Sequence, residues 1–292
     1  MVSLCIKTTK NDVADFLMQS LDSVDLDDVL FVQKEFSKYI NVIVHYLGNN
    51  TPVFYNVIAE LLTDCIIANY ESSIVYNLLV FNYFYFSNDD INTIKHICCD
   101  TLKDNTPLNN SCTMNELLDR KVLLSNDVLK YVSYNKSLVL DGFVNFRIRD
   151  YIDCLDNIVD FSVSQFIINR EYAEFIDLLR MYIDSREPEA EIVHLIYLSG
   201  ESILLDKNKN VISLSKESMD SRYLSDISFS SNDYALNSLL ALLPRRIIIH
   251  LIGPSDDFID TIKLIFENRV SVCEDCNICQ TYKIMQAKNS SK

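Results

Sequence analysis

The stretch that decides the fold is residues 138–187, LVLDGFVNFRIRDYIDCLDNIVDFSVSQFIINREYAEFIDLLRMYIDSRE. Its first part carries apolar residues at steps of three and four, with one longer gap: Val144, Ile148, Tyr151, Leu155, Ile158 and Phe166. A second apolar stripe follows: Tyr172, Phe175, Ile176, Leu179, Tyr182 and Ile183. This spacing is typical of helices that bury one face. Asn169 predicts a cap between two helices, and Pro188 ends the second, because the residue before a proline avoids helical backbone angles.

Four segments resemble the YtxC family of sporulation proteins. Two lie in the opening stretch, DGFVNFRIRDY at 141–151 and REYAEFIDLLR at 170–180. LLPRRI at 242–247 and IFENRVSVCEDCNIC at 265–279 follow in the same order, so the resemblance covers roughly the last half of the chain. It implies a role in endospore-forming bacteria. It implies no biochemical activity.

The resemblance falls on one charged set: Asp141, Arg147, Arg149, Asp150 and Tyr151. One interpretation is a charged groove that binds a small anion or a partner. The favoured interpretation is a network that orients two helices, since charged residues are common at helix starts and junctions.

The composition predicts an acidic, folded protein. The 292 residues are 49% hydrophobic, which excludes a disordered chain. The formal net charge of −15 repels nucleic-acid phosphates, so we expect no nucleic-acid partner. The four glycines are too far apart for a phosphate-binding loop, which argues against Rossmann and P-loop nucleotide sites: Gly48, Gly142, Gly200 and Gly253.

The order of the elements predicts an α+β fold in three regions. Residues 1–106 form a mixed N-terminal α+β region, and residues 107–190 form a central helical region. Residues 191–292 form a small C-terminal αβ unit that contains a hairpin and ends in a cysteine cluster. The best linker of the first half is residues 104–113, with Pro107 followed by two asparagines.

Apolar periodicity places the elements within these regions. Strands are expected at residues 2–9, 31–36, 39–46, 191–199, 202–205, 211–214, 246–252 and 270–272. Asn11, Asn232 and Ser255 are the expected caps of three helices. An exposed turn at 206–210 closes the predicted hairpin, and a polar surface connection is expected at 215–231. The run RIIIHLI at 246–252 is typical of a strand buried on both faces.

The location follows from the N-terminus and the cysteine count. Lys7 and Lys10 interrupt the first apolar run, so we expect no signal peptide. Nine cysteines without a secretory signal indicate a reducing compartment, and we expect the cytoplasm of the mother cell or the forespore. Residues 65–86 are apolar but contain several polar side chains, which predicts a buried core helix and no membrane span. Membrane association through residues 74–86 is the alternative.

Cys273, Cys276 and Cys279 form a C-x2-C-x2-C motif after a short predicted strand. Thiolates at this spacing can converge on one ion, as in zinc and iron–sulfur sites. A closed site needs a fourth ligand, which His250, Cys154 or a second chain could supply; otherwise one coordination position is open. The sequence therefore predicts a metal site on the three cysteines and His250 that holds zinc or an iron–sulfur cluster. A thiol redox set and a structural role are the alternatives.

Other candidate catalytic residues are few. The chain contains no G-x-S-x-G motif. His194 and His250 fall inside apolar strand patterns, which is typical of buried structural histidines, with a metal or acid–base role as the alternative. Cys98 and Cys99, near His96, are adjacent on a predicted helix, so their side chains diverge and are not expected to share a metal.

Two functions remain at this stage. The favoured one is a non-enzymatic interaction or structural protein of sporulation that binds an unidentified protein partner or forms a homo-oligomer. The alternative is a metal- or iron–sulfur-dependent enzyme that uses the C-terminal cysteines.

Overall fold

The structure, a computed structural model, describes residues 1–24, 26–104, 114–198, 200–212, 230–273 and 275–289. Mixed helices and strands confirm the α+β class. The chain forms two compact units, Met1–Ile168 and Asn169–Lys292. The division into three regions stays a prediction. Of the linker expected at 104–113, residues 105–113 lie outside the described residues.

The first unit contains a four-stranded sheet in the order β2-β3-β1-β4. The antiparallel strands β1 (Val2–Thr8), β2 (Val29–Glu35) and β3 (Ile40–Tyr46) confirm the three strands predicted there. Strand β4 (Ser137–Val139) pairs parallel with β1. It was not predicted, because three residues inside an apolar run show no alternation.

Helices cover this sheet and form the rest of the first unit. They are α1 (Asn11–Asp22), α2 (Thr51–Asn82), α3 (Asn88–Asp104), α4 (Met114–Tyr134) and α5 (Leu140–Phe146). The prediction that Asn11 caps α1 is wrong, because Lys10 holds the cap position and makes no side-chain cap bond. Helix α2 does begin with a cap, since the Asn50 side chain accepts a bond from the Val53 N–H.

Helix α2 is the one described helix that is long and apolar enough, by length and composition, to cross a membrane. In its apolar window, 44% of the residues are buried inside the protein.

Helix α6 (Arg149–Asp184) is continuous, so the predicted break at Asn169 is wrong. The helix contains no glycine or proline. An asparagine in a helix interior costs less than about 1 kcal/mol relative to alanine, which does not end a helix of this length. The first predicted stripe is buried at five positions: Val144, Ile148, Tyr151, Leu155 and Ile158. The second stripe is buried at Ile176 and Ile183, whereas Phe175 is exposed.

The second unit contains a sheet in the order β6-β5-β7-β8. Strands β5 (Ile192–Leu198) and β6 (Glu201–Leu205) are antiparallel, and β7 (Arg246–Leu251) and β8 (Val270–Val272) run parallel to β5. The predicted hairpin across residues 206–210 is present as far as Ile212, where the described residues stop, with an antiparallel bridge between Leu205 and Val211. Strands β5 and β6 form a second hairpin, which was not predicted. Its turn contains Gly200 at φ 89°, a conformation that glycine adopts without steric cost.

The predicted turn at 206–210 is present, and the described part of the return strand, Val211 and Ile212, pairs back onto β6. The Asp206 carboxylate accepts bonds from the backbone N–H groups of Asn208 and Asn210, both at 2.8 Å. Val211 then forms a single bridge with Leu205. Residues 213 and 214 lie outside the described residues. The same holds for residues 215–229 of the surface connection that was predicted at 215–231.

Three helices complete the second unit: α7 (Ser231–Leu242), α8 (Asp257–Phe266) and α9 (Asn277–Asn289). The caps predicted for α7 and α8 are each displaced. Ser230 caps α7 in a capping box, because the side chain of Asn232 instead bonds to Ser202 and to the Gly200 carbonyl. Asp256 caps α8 in place of Ser255. Helix α9 was not predicted.

The second sheet is buried on both faces, as the run at 246–252 predicted. On one face, Val193, Leu195 and Tyr197 of β5 and Ile247 and Ile249 of β7 pack against α7 and α8. The alternate residues point to the other face, because successive side chains of a strand alternate. That second face carries Ile196, His194 and His250, and Cys279 of α9 packs on it.

Candidate metal centre

Three elements bring the predicted ligands together. His250 belongs to β7, and Cys273 directly follows β8. The Cys273 N–H donates to the Ile249 carbonyl at 2.8 Å, so strand pairing fixes Cys273 beside His250. Cys276 lies just before α9 and Cys279 within its first turn, and the Gln280 N–H donates to the Cys276 carbonyl at 2.9 Å. One strand end, one turn and one helix start therefore position the cysteines.

The four side chains converge within a small volume. Nδ1 of His250 is 3.3 Å from Sγ of Cys279 and 3.5 Å from Sγ of Cys276. Sγ of Cys279 is 3.8 Å from Sγ of both Cys276 and Cys273. All four ligand atoms lie within 4.8 Å of one another.

These separations match the edges of a tetrahedral zinc site. Bonds of about 2.3 Å to sulfur and about 2.0 Å to nitrogen set tetrahedral edges of about 3.8 Å for S···S and about 3.6 Å for S···N. Cubane iron–sulfur clusters place each thiolate on a different iron, which separates the ligand sulfurs by roughly 6 Å. The cysteine spacing thus fits one ion better than a cubane. A disulfide would need two sulfurs at about 2.05 Å.

His194 holds the far side of the His250 ring. Its Nδ1 is 3.0 Å from Nε2 of His250, and the two rings stack with centroids 5.2 Å apart. A histidine that binds metal through Nδ1 carries its proton on Nε2 and donates it to an outer partner. His194 is placed to accept that proton at Nδ1.

Burial keeps both histidines neutral. Burial, the neighbouring His194 and the ammonium of Lys209 lower the pKa of His250 to about 4. Burial and Lys209 also lower the pKa of His194, against the opposing effect of Asp206. The Nδ1 lone pair of His250 is therefore available to a cation at neutral pH.

The thiols differ in how easily they ionise. Burial and hydrogen bonds that the Cys273 thiol donates to the other two thiols raise the pKa of Cys273 to about 12, and burial also raises the pKa of Cys279. At Cys276 burial acts in the same direction, but hydrogen bonds from the Cys279 N–H and from the Cys273 thiol prevail and lower its pKa. Without a cation, Cys276 is therefore the thiol of this cluster that ionises most easily. A metal ion would supply the charge that the other two need.

Other predicted ligands are not part of this group. Among the described residues, the cluster contains His250 and does not contain Cys154, the other proposed fourth ligand. His96, Cys98 and Cys99 likewise form no metal-ligand group there.

Two members of the charged set at 141–151, Asp141 and Tyr151, belong to two separate networks. The Asp141 carboxylate accepts bonds from the Tyr70 hydroxyl at 2.7 Å and from the Thr9 N–H at 2.9 Å, which ties α5 to α2 and to the end of β1. Arg147, Arg149 and Asp150 are exposed.

The second network centres on the buried carboxylate of Glu71. The Tyr151 hydroxyl donates to Glu71, and Arg120 pairs with the same oxygen at 2.7 Å. This network joins α2, α4 and α6. The sequence did not indicate Glu71, Arg120 or Tyr70, because the side chains that these residues bond in the two networks are 49 or more residues away along the chain.

Comparison with known proteins places the chain in a family. The sequence profile of the YtxC-like family matches residues 56–271, more than half of the chain. The chain belongs to the YtxC-like family. The resemblance noted in the sequence is thus confirmed. The match begins earlier than the last half of the chain, and it ends before Cys273.

A curated relative carries the same family name. The uncharacterized protein YtxC of Bacillus subtilis (strain 168) is 24% identical over 131 residues, which cover 45% of this chain and 46% of the relative. The chain therefore matches about half of that relative's length. No solved structure matches.

Proposed function

We propose that this YtxC-like protein is a non-enzymatic interaction protein of sporulation whose C-terminal unit binds one structural zinc ion. Cys273, Cys276, Cys279 and His250 would be its ligands. We place the protein in the cytoplasm of the mother cell or the forespore.

The observation that carries the proposal is the convergence of four ligand atoms within 4.8 Å, at tetrahedral separations, in one chain. Structural zinc sites use four protein ligands, whereas catalytic sites use three and keep a position open for water or substrate. A Cys3His set fills every position, which supports a structural ion over the metal-dependent enzyme. The sporulation context rests on the family resemblance.

The ion would hold α9 on the second face of the sheet. Cys276 directly precedes α9 and Cys279 lies in its first turn, whereas His250 belongs to β7. Three buried apolar residues pack with Cys279, namely Ile196, Leu205 and Ile252, and partly buried side chains that include Ile278 and Tyr282 of α9 surround them. A bound ion would add its binding free energy to this packing.

Elemental analysis and an absorption spectrum of protein purified without oxygen test the proposal. We expect about one zinc per chain and no visible absorption. The triple variant Cys273→Ser, Cys276→Ser, Cys279→Ser should lose the zinc and keep most of its helix content, because the site lies at the end of the chain. Cys5→Ser, a half-buried cysteine outside the cluster, is the matched control and should keep the metal.

Equal trace metal in the wild type and the triple variant would overturn the metal site. A brown protein with iron and sulfide would favour the iron–sulfur alternative. Turnover of a small molecule by the purified protein, combined with no partner recovered from sporulating cells, would overturn the interaction role.

A further inference from the structure

An apolar cleft of about 790 Å³ opens on the first unit. One wall is α2, which contributes Ile74, Leu78 and Phe81, and the opposite wall includes Val144 of α5 and Ile152 of α6. The three α2 residues recur at steps of four and three, so they form one face about 10 Å long, or two helical turns.

The rim of the cleft exposes large aromatic side chains. Phe81 is 83% exposed and Phe84 is 81% exposed, and Tyr85 beside them is 64% exposed. Contiguous apolar surface of this kind is rare on monomers and marks sites where another molecule binds.

The walls favour a helix as the occupant. A bound extended segment gains its affinity from the free backbone groups of a sheet edge. The lining residues lie on α2, α5, α6 and the corner after α2, so this cleft has no sheet edge to offer. An amphipathic helix forms its own backbone hydrogen bonds. It presents apolar residues spaced three and four apart, which matches the spacing of the apolar residues on the α2 wall.

The charge beside the cleft selects a basic partner. Residues 72–88 contain no charged side chain, and the neighbouring helix α6, which contributes Ile152 to the cleft, is acidic at its start. Its residues 149–160 carry Arg149 against four acidic residues: Asp150, Asp153, Asp156 and Asp160. Two of these bond to the corner that bears the exposed aromatics. Asp156 accepts from Asn82 at 2.9 Å and Asp160 from the Tyr83 hydroxyl at 2.7 Å.

The same charge disfavours other occupants. A second copy would bring an identical acidic rim to this one, and each chain carries a net charge of −15. An anionic lipid headgroup would also meet these carboxylates. Like charges brought together across an interface are unfavourable.

We propose that this cleft binds an amphipathic helix of a protein partner, with apolar residues against Ile74, Leu78 and Phe81 and with Lys or Arg residues against Asp156 and Asp160. The proposal deepens the proposed interaction role and is independent of the metal site.

The test uses the metal-loaded full chain and two synthetic 18-residue helical peptides. One has Leu at steps of three and four with Lys elsewhere, and the other has Glu in place of Lys. We expect the Leu/Lys peptide to bind with 1:1 stoichiometry and with an affinity that falls as salt rises. Phe84→Ser should weaken binding roughly tenfold, which corresponds to about 1.4 kcal/mol, because it truncates an aromatic anchor.

Two further variants separate this site from general attraction to an acidic protein. The double variant Asp156→Asn, Asp160→Asn keeps the side-chain shape and should weaken binding and reduce its salt dependence. Phe36→Ser removes another exposed aromatic, 60% accessible, outside the cleft, and should bind as the wild type does.

Several outcomes would overturn the proposal. One is that the wild type and all variants bind the Leu/Lys peptide equally, and another is that the wild type binds the Leu/Glu peptide as tightly as the Leu/Lys peptide. A wild-type dimer that dissociates in Phe84→Ser would show that a second copy occupies the cleft. Binding to phosphatidylglycerol vesicles that is lost in Phe84→Ser would show that the cleft binds lipid. None of these outcomes bears on whether the chain holds zinc, so the two proposals fail separately.

Discussion

His194 is the residue that decides which nitrogen of His250 faces the sulfurs. Its Nδ1 lies 3.0 Å from Nε2 of His250, so the metal-bound form of His250 would donate there. The cysteine motif and His250 were predicted from the sequence because the motif is local and His250 lies in a recognisable strand. The role of His194 depends on the parallel register of β5 and β7, in which His194 pairs with Ile248. A single sequence does not reveal that register.

Replacement of His194 by leucine should weaken zinc binding about 10- to 100-fold, because the outer partner that orients a ligating histidine is lost. The variant His194→Gln offers a carbonyl oxygen to the His250 N–H and should restore part of the affinity. Competition with a chromophoric chelator measures both. His96→Leu is the control, since His96 is outside the cluster.

A purely structural effect of His194 would leave the His250 tautomer unchanged. We expect long-range ¹⁵N–¹H correlation spectra of the zinc-loaded wild type to show His250 protonated at Nε2. Zinc affinity that stays at the wild-type value in His194→Leu would contradict this role.

Asp141 couples the stability of the first unit to pH. Burial acts to raise the pKa of Asp141, but hydrogen bonds from Tyr70 and Thr9 and the charge of Lys10 lower it below its ordinary value. A carboxyl group with a lowered folded-state pKa stabilises the fold above its unfolded pKa of about 3.9, and this contribution is lost as the pH falls through the folded value.

Asp141→Asn should therefore destabilise by about 1 kcal/mol at pH 7, because a charge-assisted network that is partly screened by solvent is lost. The difference from the wild type should narrow as the pH falls below the unfolded pKa of about 3.9, and it should be lost once the pH passes the lower folded-state pKa, where the folded wild-type carboxyl is protonated. Urea unfolding at several pH values measures it, with the exposed Asp150→Asn as control. A difference that does not change with pH would show that the carboxylate charge is irrelevant.

At the level of elements, apolar periodicity located the buried faces well and the helix boundaries poorly. The stripe through Ile148, Tyr151 and Leu155 is fully buried, as its spacing predicted. Asn169 suggested a boundary because asparagine favours caps, yet propensity is a weak preference that a continuous helix overrides. Helix α9 was not predicted, because the C-x2-C-x2-C spacing that opens it is also typical of a tight turn.

Ile148→Asp should destabilise the protein by several kcal/mol, since it would bury an unpaired charge at a position that is 0% exposed. Phe146→Asp, two residues earlier and 77% exposed, is the matched control and should change the melting temperature little. Thermal unfolding followed by circular dichroism compares the two. An unchanged melting temperature for Ile148→Asp would mean that this face of the chain is a binding surface.

At the scale of the whole molecule, the α+β class followed from the sequence because strand-like and helix-like periods occupy different stretches. The hairpin across residues 206–210 was predicted because its local turn signal is strong, and the β5–β6 hairpin was missed because Ser199–Gly200 is a weaker signal. The cleft of the first unit was not predicted. Its walls come from residues 74–84 and 144–152, which only the fold brings together.

The central claim is that four side chains of one chain close around one zinc ion. X-ray absorption at the zinc edge, on protein purified without oxygen, measures the ligands directly. We predict three sulfur atoms at about 2.3 Å and one nitrogen at about 2.0 Å, with no further metal atom nearby. A shell of oxygen and nitrogen without sulfur, metal–metal scattering, or a protein without bound zinc would contradict the claim.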